Sequence, residues 1–229
     1  MSTFTLKLLA MAIMLVDHIG AILIPGNTDA YLLCRSIGRL AFPIFCFLLV
    51  EGFYHTSDVK KYMKRLAAFA LISELPFDLA FSNRYVSWSF LRQQNVFFTL
   101  LIGLAVIYMM SKIEKRYANR TVIIGLLQGA AVISGSAAAI LLVTDYSYMG
   151  ILLIVALYIF RGNKVLLTLS LFFVTNFTGL PLEGLASLSV VFLLNYNGKK
   201  GRQGNKYFYY VFYPAHILCL YLISLLPVF

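Results

Sequence analysis

LLAMAIMLVDHIGAILI (Leu8–Ile24) is an apolar run long enough to cross a bilayer, and near its middle stands an acid beside an imidazole, Asp17-His18. Apolar stretches of roughly 17–25 residues read as membrane spans, and an ionisable pair inside one needs a reason. The run continues to Ile24 without an A-x-A-like cleavage site, so it reads as a retained helix rather than a signal peptide. The pair is taken to mark a reaction centre around which the other spans assemble a polar chamber.

Of the 229 residues, 61% are hydrophobic and 12% charged, with a mean hydropathy of +0.84. Such a chain cannot be an ordinary water-soluble domain. Its apolar windows predict an all-α polytopic membrane protein, a single domain over residues 1–229, with about nine transmembrane helices at 4–24, 37–54, 62–81, 96–111, 121–142, 146–160, 165–178, 184–196 and 207–227. The seventh and eighth are short for full spans. Pro25-Gly26, Gly179-Leu180-Pro181 and Gly198 mark boundaries.

The net charge of +10 lies mostly in the links. Lys7, the groups Lys60 to Arg65 and Lys112 to Arg120, Arg161, Lys164, and Lys199 to Lys206 fall on one side, against Arg35, Arg39, Arg84 and Arg92 on the other. The positive-inside rule then predicts a cytoplasmic N-terminus and an extracytoplasmic C-terminus. No basic face interleaved with aromatics is present, which argues against nucleic acid as a partner. Cys34, Cys46 and Cys219 show neither metal nor CxxC spacing, so they read as small apolar side chains and no metal is expected.

Asp17, Glu74, Asp78, Asp145 and Glu183 fall toward the outer ends of helices, and Glu51 toward an inner end. Intramembrane carboxylates need partners or a watery cavity, so these acids are expected to share one. Glu74 and Asp78 lie at i,i+4, with Pro76 between them freeing the carbonyl of Ile72. Arg39 stands where it can meet Asp17, Glu74 or Asp78. The plain alternative is an ion-pair network that only locates helices. Gln94-Asn95 open a helix as caps, or with Arg92 present hydrogen-bond donors; Trp88 reads as an interfacial anchor. The GxxxG spacing at Gly125 and Gly129 argues close packing and a candidate homodimer seam. The loop NGKKGRQGNK (197–206) reads either as a phosphate grip or as positive-inside charge in a soft linker.

His55 is expected to be solvated, whereas His18 and His216 lie at similar depth in different helices. A neutral imidazole can take a proton from an attacking amine or hydroxyl. Adjacent helix positions diverge by about 100°, so Asp17 is not expected to orient its neighbour's ring. Glu74, Asp78 or Asp145 would do so across helices, leaving Asp17 to pair with Arg39. No HExxH, GxSxG, P-loop or GxGxxG sequence is present.

The segments MLVDHIG (14–20), RLAFPIFCFLLVEGFYHT (39–56), KRLAAFALISELPFDLAF (64–81), QNVFFTLLIGL (94–104), DYSYMGIL (145–152) and NGKKGRQGNKYFYYVFYPAHILCLYLI (197–223) together resemble the TraX family. The resemblance runs through nearly the whole chain; 112–144 and 165–195 match only in character. It implies N-acetylation of a pilin-like peptide, with acetyl-coenzyme A (acetyl-CoA) as donor, in a bacterial cytoplasmic (inner) membrane. The layout is also similar to membrane acyltransferases that acetylate sugars outside the cytoplasm. On this resemblance acetyl-CoA enters from the basic side, with Lys60, Lys61, Lys64, Arg65, Lys199, Lys200 and Arg202 as candidates for its phosphates. Lys7 and His18 stand about 16 Å apart along a helix rising about 1.5 Å per residue, within reach of a pantetheine arm. His18 is then the expected base, with Arg39 and Asn95 on the oxyanion and Glu74 or Asp78 holding the imidazolium; His216 is the alternative base. The competing readings are a proton-coupled transporter and a non-catalytic pilus or membrane assembly factor.

Overall fold

The computed structural model describes residues 1–81, 93–177, 181–202 and 204–226. Local sequence starts each helix where capping chemistry allows. Ser2 caps α1 (Thr3–Leu23), accepting from the Thr5 N–H, and Pro25-Gly26 follow its end. Thr28 caps α2 (Asp29–Gly38) in the same way. The helix α3 (Ala41–His55) follows after a break at Arg39-Leu40. The expected helix at 37–54 is realised as α3, while α2 occupies residues where no helix was expected; Pro43 has no N–H to offer the Arg39 carbonyl, so Arg39 stands at the joint between the two.

Asp58 precedes α4 (Val59–Phe81) and accepts from the Lys61 N–H at 2.9 Å, a bond that holds its carboxyl below the usual carboxylate range. Asn95 caps α5 (Val96–Arg116); α6 (Thr121–Leu141) and α7 (Ser147–Ile159) follow. Asn163 caps α8 (Lys164–Asn176). The expected helix at 184–196 is instead a broken segment: α9 (Pro181–Gly184), a 3-10 turn (Leu185–Ser189) and α10 (Val190–Leu194). Asn205 caps α11 (Lys206–Ser224), which carries Pro214 in its interior.

Among the described residues, α1, the α2–α3 pair, α5, α6 and α11 are long and apolar enough to cross a membrane. The 23-residue α4 is long enough, but Lys60, Lys61, Lys64, Arg65, Glu74 and Asp78 lower its hydropathy. The 13-residue α7 and α8 rise only about 20 Å each, short of a hydrocarbon core of about 30 Å. Packing joins α1 to α3, α3 to α7, α7 to α5, α5 to α4, α4 to α11 and α11 back to α1, a closed ring of helices. The helix α2 lies against α1, α6 against α5 and α7, and α8 against α7. The outer face is apolar: Val122, Leu126, Ile133 and Leu141 of α6 and Phe173 of α8 are exposed, as lipid contact requires.

The small residues of α6 divide between two faces. Ala131, Gly135 and Ala139 are buried, and a Cβ on Gly135 would strike Val106 of α5. Gly125 and Gly129 have nothing within 4 Å of such a Cβ. Gly135→Leu is therefore expected to destabilise the protein by about 1–3 kcal/mol through overpacking, whereas Gly129→Leu leaves the thermal midpoint in detergent near wild type; equal losses would contradict this packing.

Candidate active site

The ring helices α1 and α11 meet at two imidazoles. His18 Nδ1 and His216 Nε2 are 2.7 Å apart, with the rings within 7° of parallel. His216 Nδ1 lies 2.6 Å from the carbonyl oxygen of Phe212, one turn earlier on α11. A carbonyl only accepts, so His216 carries its proton on Nδ1, and a neutral His216 then presents an Nε2 lone pair. His18 must donate to that lone pair from Nδ1, which leaves His18 Nε2 unprotonated. Both rings are buried, and Phe81, Tyr213 and Phe212 pack around them.

His18 Nε2 faces a charged chain. Asp17 Oδ2 stands 4.0 Å from it and accepts from Arg35 Nη1 at 2.7 Å. Asp17 Oδ1 has no hydrogen-bond partner among the described residues, but lies 3.6 Å from Arg39 Nη2. Arg39 Nη1 in turn donates to Glu183 Oε1 at 2.8 Å. Arg39 is also within electrostatic reach of Asp145 and Tyr146. The α1–α2 hairpin makes this possible through glycine: a Cβ on Gly38 would overlap the Asp17 carboxylate, and one on Gly20 would overlap Cys34.

The predicted residues fall into two groups. Asp17, His18, Arg39 and His216 come together as described. The orienting partner of His18 is His216, where a carboxylate from another helix was expected; Asp17, 4.0 Å from its neighbour's ring and without a hydrogen bond to it, does not orient that ring, as expected. Asn95 is fully buried and donates its amide hydrogens to the Ala70 carbonyl (2.8 Å) and Glu74 Oε2, while its Oδ1 caps α5. That ties α5 to α4 and leaves the amide no hydrogen for an oxyanion. Glu74 is thus held by Asn95, with Asp78 buried one turn along α4 and electrostatically coupled to it. Asp145 accepts from Gln93 Nε2 at 3.3 Å. Trp88 and Arg92 lie outside the described residues.

On the side of the pair from which α1 starts, a cavity of about 550 Å³ opens between α1, α3, α4, α5, α11 and the α10–α11 linker. Met11, Met14, Leu48, Leu49, Leu66 and Leu100 give it an apolar body, and Lys7, Arg65, Lys200 and Arg202 stand among its lining groups. Arg65 Nε is buried without a hydrogen-bond partner among the described residues. Lys60, Lys61, Lys64 and Lys199, also predicted for phosphates, do not line the cavity; Lys61 pairs with Asp58 at 3.7 Å. The linker is fixed by backbone bonds, Thr3 N–H to the Lys199 carbonyl (2.9 Å) and Phe4 N–H to that of Lys200 (3.1 Å), and Gly198 and Gly201 turn it at φ of 72° and 71°. Glu51 lines the same cavity and is held by Arg161 Nε at 2.6 Å; His55 is half exposed at its side chain and donates from Nδ1 to the Glu51 carbonyl at 2.8 Å. Among the described residues no group of three His, Cys, Asp or Glu could hold a metal ion.

Sequence inspection missed Arg35 and Tyr213 as site residues, and took Lys7 as the start of the pantetheine path without placing it among the phosphate-binding cations. The signal for Arg35 was its i,i+4 spacing to Arg39 inside a largely apolar helix, which places both guanidinium groups on one face. If that face exists to hold Asp17, the expected outcome is a strong coupling in unfolding experiments. Gly38→Ala should lower stability by about 1–3 kcal/mol by displacing the carboxylate, and much of that loss should vanish in an Asp17→Ala background. Additive losses would mean that Gly38 matters for another contact.

Comparison with known proteins gives a family and one curated relative. The family model described as TraX protein matches residues 2–224. Probable fimbrial assembly protein FimC, serogroup H1, of Dichelobacter nodosus is 29% identical over 229 residues, covering 96% of this chain and 94% of that protein. No solved structure matches.

Proposed function

The chain belongs to the TraX family, and from that premise we propose that it is a membrane-embedded acetyltransferase, moving an acetyl group from cytosolic acetyl-CoA to an amine or hydroxyl of a pilin-like peptide or other extracytoplasmic acceptor. The observation that carries the reading is the carbonyl-locked imidazole pair beside a basic-mouthed apolar cavity. In this reading the membrane is a bacterial inner membrane, and the positive-inside rule supports a cavity mouth that faces the cytoplasm. Acetyl-CoA phosphates are then met by Lys7, Arg65, Lys200 and Arg202, and the pantetheine arm runs along the apolar body toward Met14, one helical turn from His18.

The acceptor approaches from the side of Asp17, Arg35 and Arg39. His18 Nε2 takes the proton of its amine or hydroxyl while the nucleophilic atom attacks the thioester carbon. Asp17 Oδ2, 4.0 Å away, compensates the imidazolium that forms, and His216 keeps the ring in the productive tautomer. Arg35 and Arg39 supply positive charge for the oxyanion. Collapse breaks the C–S bond, and the coenzyme A thiolate recovers the proton from His18 Nε2. Atoms and charge balance without a metal.

A second reading has one observation in its favour, the fimbrial assembly name of the relative: a factor that holds a pilus subunit in the membrane without transferring anything. A proton-coupled transporter would use the same buried histidines and acids. Purified protein in liposomes, given acetyl-CoA with a panel of free-amine peptides and amino sugars, separates the three. Thiol release that depends on acceptor, and falls about 10²–10⁴-fold in a folded His18→Ala variant, is expected. Its acid limb should move in His216→Gln, because neutral His18 is the active form and His216 sets that ring's proton affinity. Absence of thiol release with every acceptor, alongside a stable subunit complex or a proton flux, would overturn the enzyme.

A further inference from the structure

Neither imidazole lines the donor cavity; the lining side chain in ring contact with both of them is Tyr213. Its ring centroid lies 6.0 Å from that of His18 and 5.9 Å from that of His216, edge-on to each. Phe97, another lining residue, packs edge-on against Tyr213 at 5.1 Å. Through that contact the ring packs against the start of α5. Tyr213 is 4% exposed, and packed on Phe97 it places its ring between the cavity and the two imidazoles. It directly precedes Pro214, whose missing N–H leaves the Tyr210 carbonyl without its helical donor and weakens α11 at this point.

That position has a chemical consequence. A base competent to activate an amine or hydroxyl will equally activate water, and a thioester standing open beside it would be hydrolysed. Accepting the acetyltransferase reading above, we infer that Tyr213 is a gating and positioning residue that keeps the donor thioester from the His18–His216 pair and from water, so that C–S cleavage is coupled to acceptor acetylation. The hydrolysis it suppresses is balanced by water alone: hydroxyl adds to the acetyl carbon, the C–S bond breaks, the thiolate takes water's other proton to give coenzyme A, and the acetic acid formed releases its own proton to solvent as acetate. The ring must swing aside for transfer, with the Pro214 segment as pivot. No proton is exchanged with the phenol, so the ring rather than its hydroxyl does the shielding.

The test compares wild type, Tyr213→Ala and Tyr213→Phe in liposomes, measuring thiol release from acetyl-CoA without acceptor and the ratio of acetylated peptide to released thiol with a free-amine peptide. Removing the ring should raise acceptor-free hydrolysis by about tenfold and lower the ratio, and Tyr213→Phe should return the ratio toward wild type. Tyr213→Leu, which keeps bulk, guards against a variant that fails to fold and should fall between the two. A folded Tyr213→Ala protein that transfers with the wild-type ratio and the wild-type hydrolysis rate would overturn the gate while leaving the acetyltransferase intact. If wild type itself releases no thiol with any acceptor, the acetyltransferase reading fails first and the gate falls with it.

Discussion

In a medium without water, a buried imidazole must find its hydrogen bonds inside the protein, and in this chain the first and last long helices supply them to each other. His18 and His216 are 198 positions apart in sequence, and their 2.7 Å contact joins α1 to α11 deep in the bundle. The Phe212 carbonyl removes the remaining freedom of His216, and so dictates the proton position on His18. One locked bond therefore decides both a helix crossing and the location of a basic lone pair. The closed ring of helices, with the short α7 against α3 and α5, leaves room beneath that pair for the cavity.

Electrostatics divide the two sides of the pair. On one side Lys7, Lys200 and Arg202 bring cationic charge to a cavity mouth without a carboxylate salt bridge among the described residues. On the other, Asp17, Arg35, Arg39 and Glu183 neutralise one another in an alternating chain. An alternating chain in a low dielectric is rigid, because removing a member leaves a neighbouring charge unpaired. Cations without a carboxylate partner and a fixed ion chain suit different tasks: the first attracts a mobile anion, the second holds a reacting centre in register.

Most helices were legible because lipid and burial both demand long apolar windows: the expected 62–81 and 121–142 are realised as Val59–Phe81 and Thr121–Leu141. The departures are those where backbone chemistry overrides hydropathy. The helix α2 forms where none was expected, ending at the joint that Pro43 makes before α3, and the stretch from Pro181 to Leu194 breaks into short turns although its composition is apolar. Asp17, His18, Arg39 and His216 stood out as ionisable groups in apolar surroundings, but their partners did not. Nothing in a one-dimensional pattern says that Asp17 meets Arg35 rather than Glu74's helix, or that Asn95 spends both amide hydrogens on α4, since those contacts follow from helix order around the ring. Tyr213 escaped notice because a tyrosine among tyrosines carries no local signal. The family resemblance supplied the reaction class; the geometry supplied the arrangement that the class would use.

Nitrogen-15 NMR of histidine-labelled protein in lipid bilayers, with and without acetyl-CoA, bears most directly on the central claim that a tautomer-locked imidazole pair serves a donor cavity. The account predicts Nδ1-protonated neutral rings for His18 and His216, a scalar coupling across the His18 Nδ1 to His216 Nε2 hydrogen bond, and a shift of the His18 signals when acetyl-CoA is added. Loss of that coupling, an Nε2-protonated His216, or His18 signals indifferent to saturating acetyl-CoA would contradict it.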